Sequence, residues 1–135
     1  MSDDPSTEDP ETPWPPVVGV VLPRGAEAFG VRVKLETYSL DLAHDDGGPK
    51  ARGFERILGI TLEDIDYLEG AIQTGILVVP ISSVRDKSPW GMNCVVMVPV
   101  RGLGEKNDRV VNIRTAWRLA GRGAPPQLAS AFCKP

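Results

Sequence analysis

A single histidine and a small set of cations are the residues with which this sequence could do chemistry. Histidine is the side-chain type that exchanges a proton near neutral pH, so His44, the only histidine, is the natural candidate for proton transfer. It lies in a loop rich in glycine, aspartate and proline, which indicates an exposed imidazole. Lys50 follows just inside a predicted helix, where the helix dipole disfavours a cation. Either Lys50 serves another purpose there, or its side chain simply points into water.

Two arginines lie on one face of a strand predicted at residues 109–119. Side chains alternate along a strand, so one face is mainly apolar while the other carries Arg114 and Arg118. These two cations are about 13 Å apart, because four residues rise by ~3.3 Å each. An ordinary solvated face whose arginines oppose aggregation is the alternative. The predicted inward set is Val111, Ile113, Thr115, Trp117 and Leu119, and the outward set is Asn112, Arg114, Ala116 and Arg118.

Two helices are predicted in the N-terminal half. Pro49 suits a first helical turn and Gly59 suits a C-terminal stop, which predicts a helix at residues 49–58. Thr61, followed by acidic residues, is typical of the N-cap of a second helix, which ends near Gly75. The predicted inward stripe of that second helix consists of Leu62, Ile65, Leu68, Ala71 and Ile72.

Most of the remaining periodicity is that of strands. Residues 31–35 alternate between apolar and basic types, which predicts a half-buried strand. Further strands are predicted at residues 76–81, 92–100, 109–119 and 127–133, with turn-rich segments between them. Helices first and hairpin-linked strands afterwards predict an α+β fold. We expect the two helices to pack on an antiparallel sheet of about four to five strands.

Length and composition favour one domain behind an acidic tail. The 135 residues, 41% of them apolar, suit one globular domain, which we place at residues 17–135. Residues 1–16 hold five acids and five prolines but no Lys or Arg, which predicts disorder. The acidic start and the lack of a long apolar run predict a cytoplasmic protein with no membrane partner.

The residue types also limit metal and cofactor chemistry. Two cysteines and one histidine are too few for a disulfide scaffold or a multi-histidine metal site. Asp41, Asp45 and Asp46 crowd one loop, but their spacing lacks the calcium-loop pattern, and turn chemistry accounts for them. We expect no metal and no other cofactor.

Charge is distributed unevenly along the chain. The net charge is −3, yet residues 70–135 carry nine basic and three acidic side chains. Residues 17–69 carry six basic and ten acidic ones. Such asymmetry can indicate a polyanionic partner such as RNA for the basic half, although ordinary solvated surface accounts for it equally simply. The acidic tail could lie over a basic surface and shield it.

From about residue 34 to 135 the chain resembles an uncharacterised bacterial family, a domain of unknown function. Members show His-Pro-x-Gly-x-x-Lys-Ala-x-x-Phe, then Val-x-Thr-Val-Trp, then a terminal Thr-Ala-Tyr-Pro. The matching stretches are residues 44–54 (HDDGGPKARGF), 113–117 (IRTAW) and 130–135 (SAFCKP). Asp45 stands where the family has proline, and residues 132–135 depart from the terminal motif.

More distantly, the domain is similar to small ribonuclease toxins of the barnase and RelE type, which place helices before an antiparallel sheet. That similarity implies a metal-independent RNA-cleaving surface of Lys, Arg, His and Thr side chains. The implied catalytic residues are His44, Lys50, Arg114 and Thr115, with Arg52, Asn112 and Arg118 binding substrate. Such families also include non-catalytic immunity or antitoxin partners.

Three functions therefore remain open. The acidic tail and the short list of catalytic groups favour a non-catalytic or degenerate accessory domain of a toxin-like or biosynthetic gene cluster, with RNA or a protein as its partner. The basic half and the lone histidine favour an RNA-cleaving enzyme. A small-molecule enzyme would need a cavity between helices and sheet, lined by Trp90, Met92, Met97 and Trp117. The oligomeric state is left open.

Overall fold

A computed structural model describes residues 14–134, in which helices cover one face of a four-stranded antiparallel sheet. This arrangement confirms the predicted α+β fold with its helices in the N-terminal half. Most of the predicted acidic tail, residues 1–13, lies outside the described residues. Trp14 is partly buried against the core, and Pro16 is buried. Within residues 14–134 no helix is long and apolar enough to cross a membrane.

The strand predicted at residues 31–35 is wrong, because this segment is helical. α1 comprises Val31–Lys34 and continues into a π-helical turn, Leu35–Ser39. Val31 and Leu35 are buried, whereas Val33 between them is 65% exposed. The apolar residues that pack are thus four apart, as on a helix, and the two-residue alternation is not used.

Both predicted helices are confirmed. α2 comprises Gly48–Leu58 and ends at Gly59, whose left-handed conformation (φ 66°) suits glycine. α3 comprises Ile65–Gly75 and follows a single 3₁₀ turn, Leu62–Asp64.

Thr61 begins this second helical segment, as predicted. Its side chain and that of Asp64 form a capping box, in which the Thr61 N–H donates to Asp64 Oδ2 at 3.0 Å. Leu68 and Ile72 are buried, and Ile65 and Ala71 pack against the core, as the predicted stripe requires. Leu62 is 46% exposed, because it lies in the 3₁₀ turn and not on the inward face of α3.

The sheet runs β1-β2-β3-β4, and each neighbouring pair is antiparallel. The strands predicted at residues 92–100, 109–119 and 127–133 are confirmed. Their observed bounds, together with a first short strand, are β1 Ser83–Asp86, β2 Met92–Arg101, β3 Val110–Leu119 and β4 Gln127–Lys134.

The strand predicted at residues 76–81 is wrong. The N–H groups of Leu77 and Val78 donate to carbonyls of Thr74 and Gly75, so the chain turns back on the end of α3. The backbone N–H groups of this apolar run therefore bond to the end of α3, and the run does not pair with β2. Pairing with β2 begins only at Ser83.

One face of β3 packs against the helices, as the alternation predicts. Its inward side chains from Ile113 to Leu119 are buried and Val111 is partly buried against the core, whereas its outward side chains are exposed or only partly buried. Inside the core the Trp117 Nε1–H donates to Thr115 Oγ1 at 2.8 Å, and the Thr115 hydroxyl donates to the Val96 carbonyl at 2.7 Å. These two bonds satisfy the polar atoms that β3 carries into the core.

The outer edge of β2 is only partly covered. β1 pairs with β2 from Met92 to Val95, and in the described part of the chain no strand pairs with that edge beyond Val95. Ser82 donates its N–H to the Val95 carbonyl, so the backbone of Pro99, four residues on, points to the same side. Proline has no N–H to offer to another strand.

Candidate functional site

Cations and aromatic rings converge where α2 meets the edge of β4. The Lys50 ammonium donates a hydrogen bond to the Tyr38 hydroxyl at 2.9 Å, and it lies 5.6 Å from the centre of the Phe132 ring. The Arg114 guanidinium carbon lies 5.6 Å from the same ring centre. Phe132 therefore links the two cations, which are no more than twice that distance apart. We define the cation–aromatic cluster as a set of six residues, Lys34, Tyr38, His44, Lys50, Arg114 and Phe132.

Each member of this cluster is brought in by a different element. Phe132 on β4 pairs directly with Arg114 on β3, so their side chains share one face of the sheet. Lys50 lies in the first turn of α2, which packs against β4, and Tyr38 lies in the π-helical turn. The Lys34 ammonium is 5.7 Å from the centre of the Tyr38 ring. Such cation–ring distances fall within the range of cation–π attraction.

A close backbone contact sets the position of the loop that carries His44. A β-carbon at Gly47 would collide with the carbonyl oxygen of Tyr38, so only glycine allows this approach. The loop is thereby held against the π-helical turn, and the His44 ring stands edge-on to the Tyr38 ring with centres 4.9 Å apart.

Hydrogen bonds determine what the His44 imidazole can do. Its Nδ1 accepts the backbone N–H groups of Asp46 at 3.0 Å and Gly47 at 2.9 Å. An acceptor Nδ1 places the ring proton on Nε2, so Nε2 can donate to a ligand but cannot accept a proton from one. His44 therefore acts here as a loop cap, and a general-base role would require breaking both backbone bonds.

Within residues 14–134, the helices leave the opposite face of the sheet open, and that face is basic. We define the open sheet face as the outward β3 residues Asn112, Arg114, Ala116 and Arg118, together with the residues that pair with them on β2 and β4. Ser83 and Arg85 of β1 complete this face. Its cations are Arg85, Arg114, Arg118 and Lys134, and none of the residues so defined is Asp or Glu. A groove of about 390 Å³ crosses the strands here, and its lining includes Arg85, Lys87 and Arg114.

These cations have no carboxylate partners among residues 14–134. The ion pairs in this part of the chain join Arg24 to Glu27, and Arg32 to Asp66 and Glu69. All of them lie away from the open sheet face. The positive charge on that face is therefore not neutralised by the described residues.

The structure brings together some of the predicted site residues and separates others. His44, Lys50 and Arg114 meet in the cation–aromatic cluster, and Asn112 and Arg118 flank Arg114 on the exposed side of β3. Two predicted site residues lie elsewhere. Thr115 is fully buried on the other face of β3, and Arg52 is exposed on α2, where its guanidinium lies beside Gly48.

Tyr38, Phe132 and Arg85 are site residues that sequence reasoning missed. Tyr38 follows a segment predicted as a strand, so its helical neighbours were not considered. Arg85 lies on β1, a strand that was placed too early in the chain. Phe132 lies on a predicted strand, but only the β3–β4 register shows that it faces Arg114. Aligning the inward and outward positions of the two predicted strands could have suggested that register.

A second cleft, between α2 and β4, has a volume of about 360 Å³. Its lining includes Lys50, Arg56, Phe132 and Cys133. The cavity lined by two tryptophans is not formed, because Trp117 is enclosed in the core and Trp90 is 70% exposed.

The two thiols are poor nucleophiles. Burial raises the pKa of Cys94 to about 11 and that of Cys133 to about 12. Because the thiolate is the reactive form, both cysteines are held protonated at neutral pH. In residues 14–134 no group of three or more His, Cys, Asp or Glu side chains could hold a metal ion.

Comparison with known proteins assigns a family without an activity. No curated protein and no solved structure matches the chain. The likeness to barnase and RelE ribonucleases therefore stays a prediction. One family model, described as "Domain of unknown function (DUF6883)", matches residues 22–135 and so covers both the cation–aromatic cluster and the open sheet face. The chain belongs to this family of domains of unknown function, DUF6883.

Proposed function

We propose that the chain is a non-catalytic accessory domain that binds single-stranded RNA on its open sheet face. The observation that carries the proposal is the charge of that face, which has four cations and no carboxylate on a protein of net charge −3. An overall excess of basic residues does not account for this concentration. Unpaired Lys and Arg side chains on one surface are the footprint of phosphate binding.

The shape of the face favours a single strand over a duplex. Four strands spread the side chains over about 14 Å, since neighbouring strands lie ~4.8 Å apart. Sequence-tolerant binding of single strands combines backbone-tracking cations with aromatic side chains on which bases stack. Arg85, Arg114 and Arg118 supply the cations, and Phe132 and Tyr38 supply rings at the β4 edge.

Binding without cleavage agrees best with the geometry of the reactive groups. The His44 Nδ1 is occupied by two backbone donors, and Thr115 is enclosed in the core. Cleavage through the ribose hydroxyl needs a base that can accept its proton, and the His44 arrangement does not offer one. The proposal therefore keeps RNA as the partner and sets aside the RNA-cleaving alternative.

The proposal includes the setting expected from the sequence. A protein in the cytoplasm has access to RNA. The gene of a small accessory domain would fit in a toxin-like or biosynthetic gene cluster. The genes beside this one distinguish these settings cheaply, because a toxin, a secretion module or a biosynthetic operon would each favour one of them.

The test is fluorescence anisotropy with a labelled 12-nucleotide single-stranded RNA in EDTA at 50 and 200 mM salt. We expect affinity to fall steeply with salt, since each neutralised phosphate releases counterions. Arg114→Ala with Arg118→Ala should weaken binding about tenfold or more and flatten the salt slope. Arg52→Ala with Arg56→Ala is the matched control, because it also removes two arginines, both exposed on α2 and outside the open sheet face.

The same samples, run on denaturing gels, report cleavage. Intact RNA with salt-dependent binding supports the proposal. No binding at 50 mM salt would overturn it, and so would equal binding by the double variant and the wild type. Cleavage that is lost in His44→Ala would overturn its non-catalytic part.

A further inference from the structure

A second surface lies on the helical side of the molecule and has the opposite charge. A cleft of about 610 Å³ runs between residues 40–43, α2 and the 3₁₀ turn Leu62–Asp64. Leu40 and Ala51 are buried beneath it, and two rim leucines flank its mouth, with Leu42 53% and Leu62 46% exposed. Half-exposed leucines on facing sides make an apolar trough that is open to solvent.

Three carboxylates rim this trough. Asp41, Glu55 and Glu63 are among its lining residues, and no Lys or Arg is. No ion pair within the described range, residues 14–134, involves any of the three. Asp41 Oδ1 accepts the Ala43 N–H, which fixes that carboxylate at the rim. The trough is therefore apolar at its base and negative at its edges.

We propose that this trough binds a basic amphipathic helix of a protein partner. Charge complementarity selects the occupant: apolar side chains of the helix would cover Leu42 and Leu62, and its Lys or Arg side chains would meet the three carboxylates. The same charges repel RNA, so the trough and the open sheet face take ligands of opposite sign. The domain would then join a polyanion on one side to a basic protein segment on the other.

A helix fits the trough better than a small molecule does. Small-molecule sites bury most of the ligand surface in a concave pocket, whereas both rim leucines here remain half exposed. A helix laid along an open groove presents side chains at three- and four-residue spacing to such a row of contacts. The inference does not depend on RNA binding, because it uses none of the residues of the open sheet face.

The probe is a fluorescein-labelled 14-residue peptide of Leu and Lys arranged as an amphipathic helix, titrated with the full chain in 150 mM salt. Two peptides serve as comparisons: the same pattern with Glu in place of Lys, and the same composition scrambled to destroy the apolar face. We expect binding of the amphipathic basic peptide, weaker binding of the scrambled one and none of the acidic one.

Two protein variants locate the binding. Glu55→Gln with Glu63→Gln should weaken the interaction about tenfold, since two surface charge pairs with the peptide are lost. Glu105→Gln with Asp108→Asn is the matched control, because it removes two exposed carboxylates outside the trough and should change affinity less than twofold. Thermal unfolding of all variants shows that each one is folded.

Each outcome decides the proposal. Equal binding by the trough variant and the control, or equal binding of the scrambled peptide, would overturn it as a non-specific attraction between charges. Absence of binding by the amphipathic peptide would also overturn it. Arg114→Ala with Arg118→Ala should leave peptide binding unchanged, so a failure of the RNA proposal and a failure of this one can be told apart.

Discussion

The Lys50 ammonium donates a hydrogen bond to the Tyr38 hydroxyl at 2.9 Å, and this contact joins the first turn of α2 to the π-helical turn. Lys50 lies where the helix dipole disfavours a cation, so the interaction with Tyr38 offsets that cost. The ring of Tyr38 adds to the attraction, since the ammonium is 4.9 Å from its centre.

Removing the hydroxyl tests this contact. Tyr38→Phe keeps the ring but takes away the acceptor of Lys50, and we expect a loss of about 1 kcal/mol in the free energy of unfolding. Urea denaturation measures it. Tyr67→Phe is the comparison, because it removes the hydroxyl of an exposed tyrosine, which donates to the Arg101 carbonyl. A larger effect at Tyr67 than at Tyr38 would contradict the weight we give to the Lys50 contact.

His44 has a structural role that substitution reveals. His44→Ala leaves the N–H groups of Asp46 and Gly47 without their acceptor, and we expect a loss of about 1–2 kcal/mol in stability. His44→Asn should restore part of it, because a side-chain amide oxygen can accept the same donors. If both variants are as stable as the wild type, the imidazole is not a loop cap.

Trp117 is the largest enclosed side chain of the core. Trp117→Ala should destabilise the fold by roughly 3–5 kcal/mol, since it leaves a cavity and removes the donor to Thr115 Oγ1. Trp90→Ala is the matched control, because Trp90 is largely exposed and its removal should be nearly neutral. Chemical denaturation of both variants measures the difference, and similar losses would show that Trp117 is less enclosed than described.

The two cysteines make the stability of the fold depend on pH in the alkaline range. Burial raises the pKa of Cys94 to about 11 and of Cys133 to about 12 in the folded state, whereas unfolded thiols titrate near ~8.5. The folded state thus holds these protons more tightly, and its stability is fully present below pH ~8.5 and falls as the pH rises above it. The slope is at most about 1.4 kcal/mol per pH unit for each thiol.

Urea midpoints between pH 7 and pH 10 measure this slope. Lysine and tyrosine side chains also titrate in that range, so the comparison is with Cys94→Ala combined with Cys133→Ala. The double variant should lose less stability than the wild type over the same range. Parallel curves would show that burial does not shift the two thiols.

The predicted acidic tail is tested by truncation. Residues 1–13 hold five acids and no cation, and we predict that deleting them changes the thermal midpoint by no more than a few degrees. Deleting residues 1–16 should cost more, because Trp14 packs against the core and Pro16 is buried. Equal midpoints for the two deletions would show that Trp14 contributes little to the core.

Local signals were sufficient for much of the fold. Pro49, Gly59 and the Thr61 cap predict the helix boundaries, because caps and stops act within a few residues. The alternation along β3 predicts which of its side chains face the core. This approach fails for residues 31–35. Their apolar side chains are both two and four residues apart, so the spacing fits a strand and a helix, and only packing decides between them.

The candidate site was less accessible to sequence reasoning. Lys50 and Arg114 are both candidates from the sequence, but what joins them is Phe132, whose position depends on the β3–β4 register. The resemblance to ribonuclease toxins implies Thr115 as a catalytic residue, although the alternation along β3 already places it on the inward face. Long-range pairing, which a single sequence does not state, decides such cases.

Pro99 has a consequence for how copies of this chain behave at high concentration. An unpaired sheet edge is a template on which a strand of another chain can add, and among residues 14–134 no strand pairs with the outer edge of β2 beyond Val95. Without an N–H at Pro99, and with the Arg101 carbonyl taken by Tyr67, an incoming strand would find the ladder interrupted. We therefore expect this edge of β2 not to nucleate fibrils by adding strands from other copies of the chain.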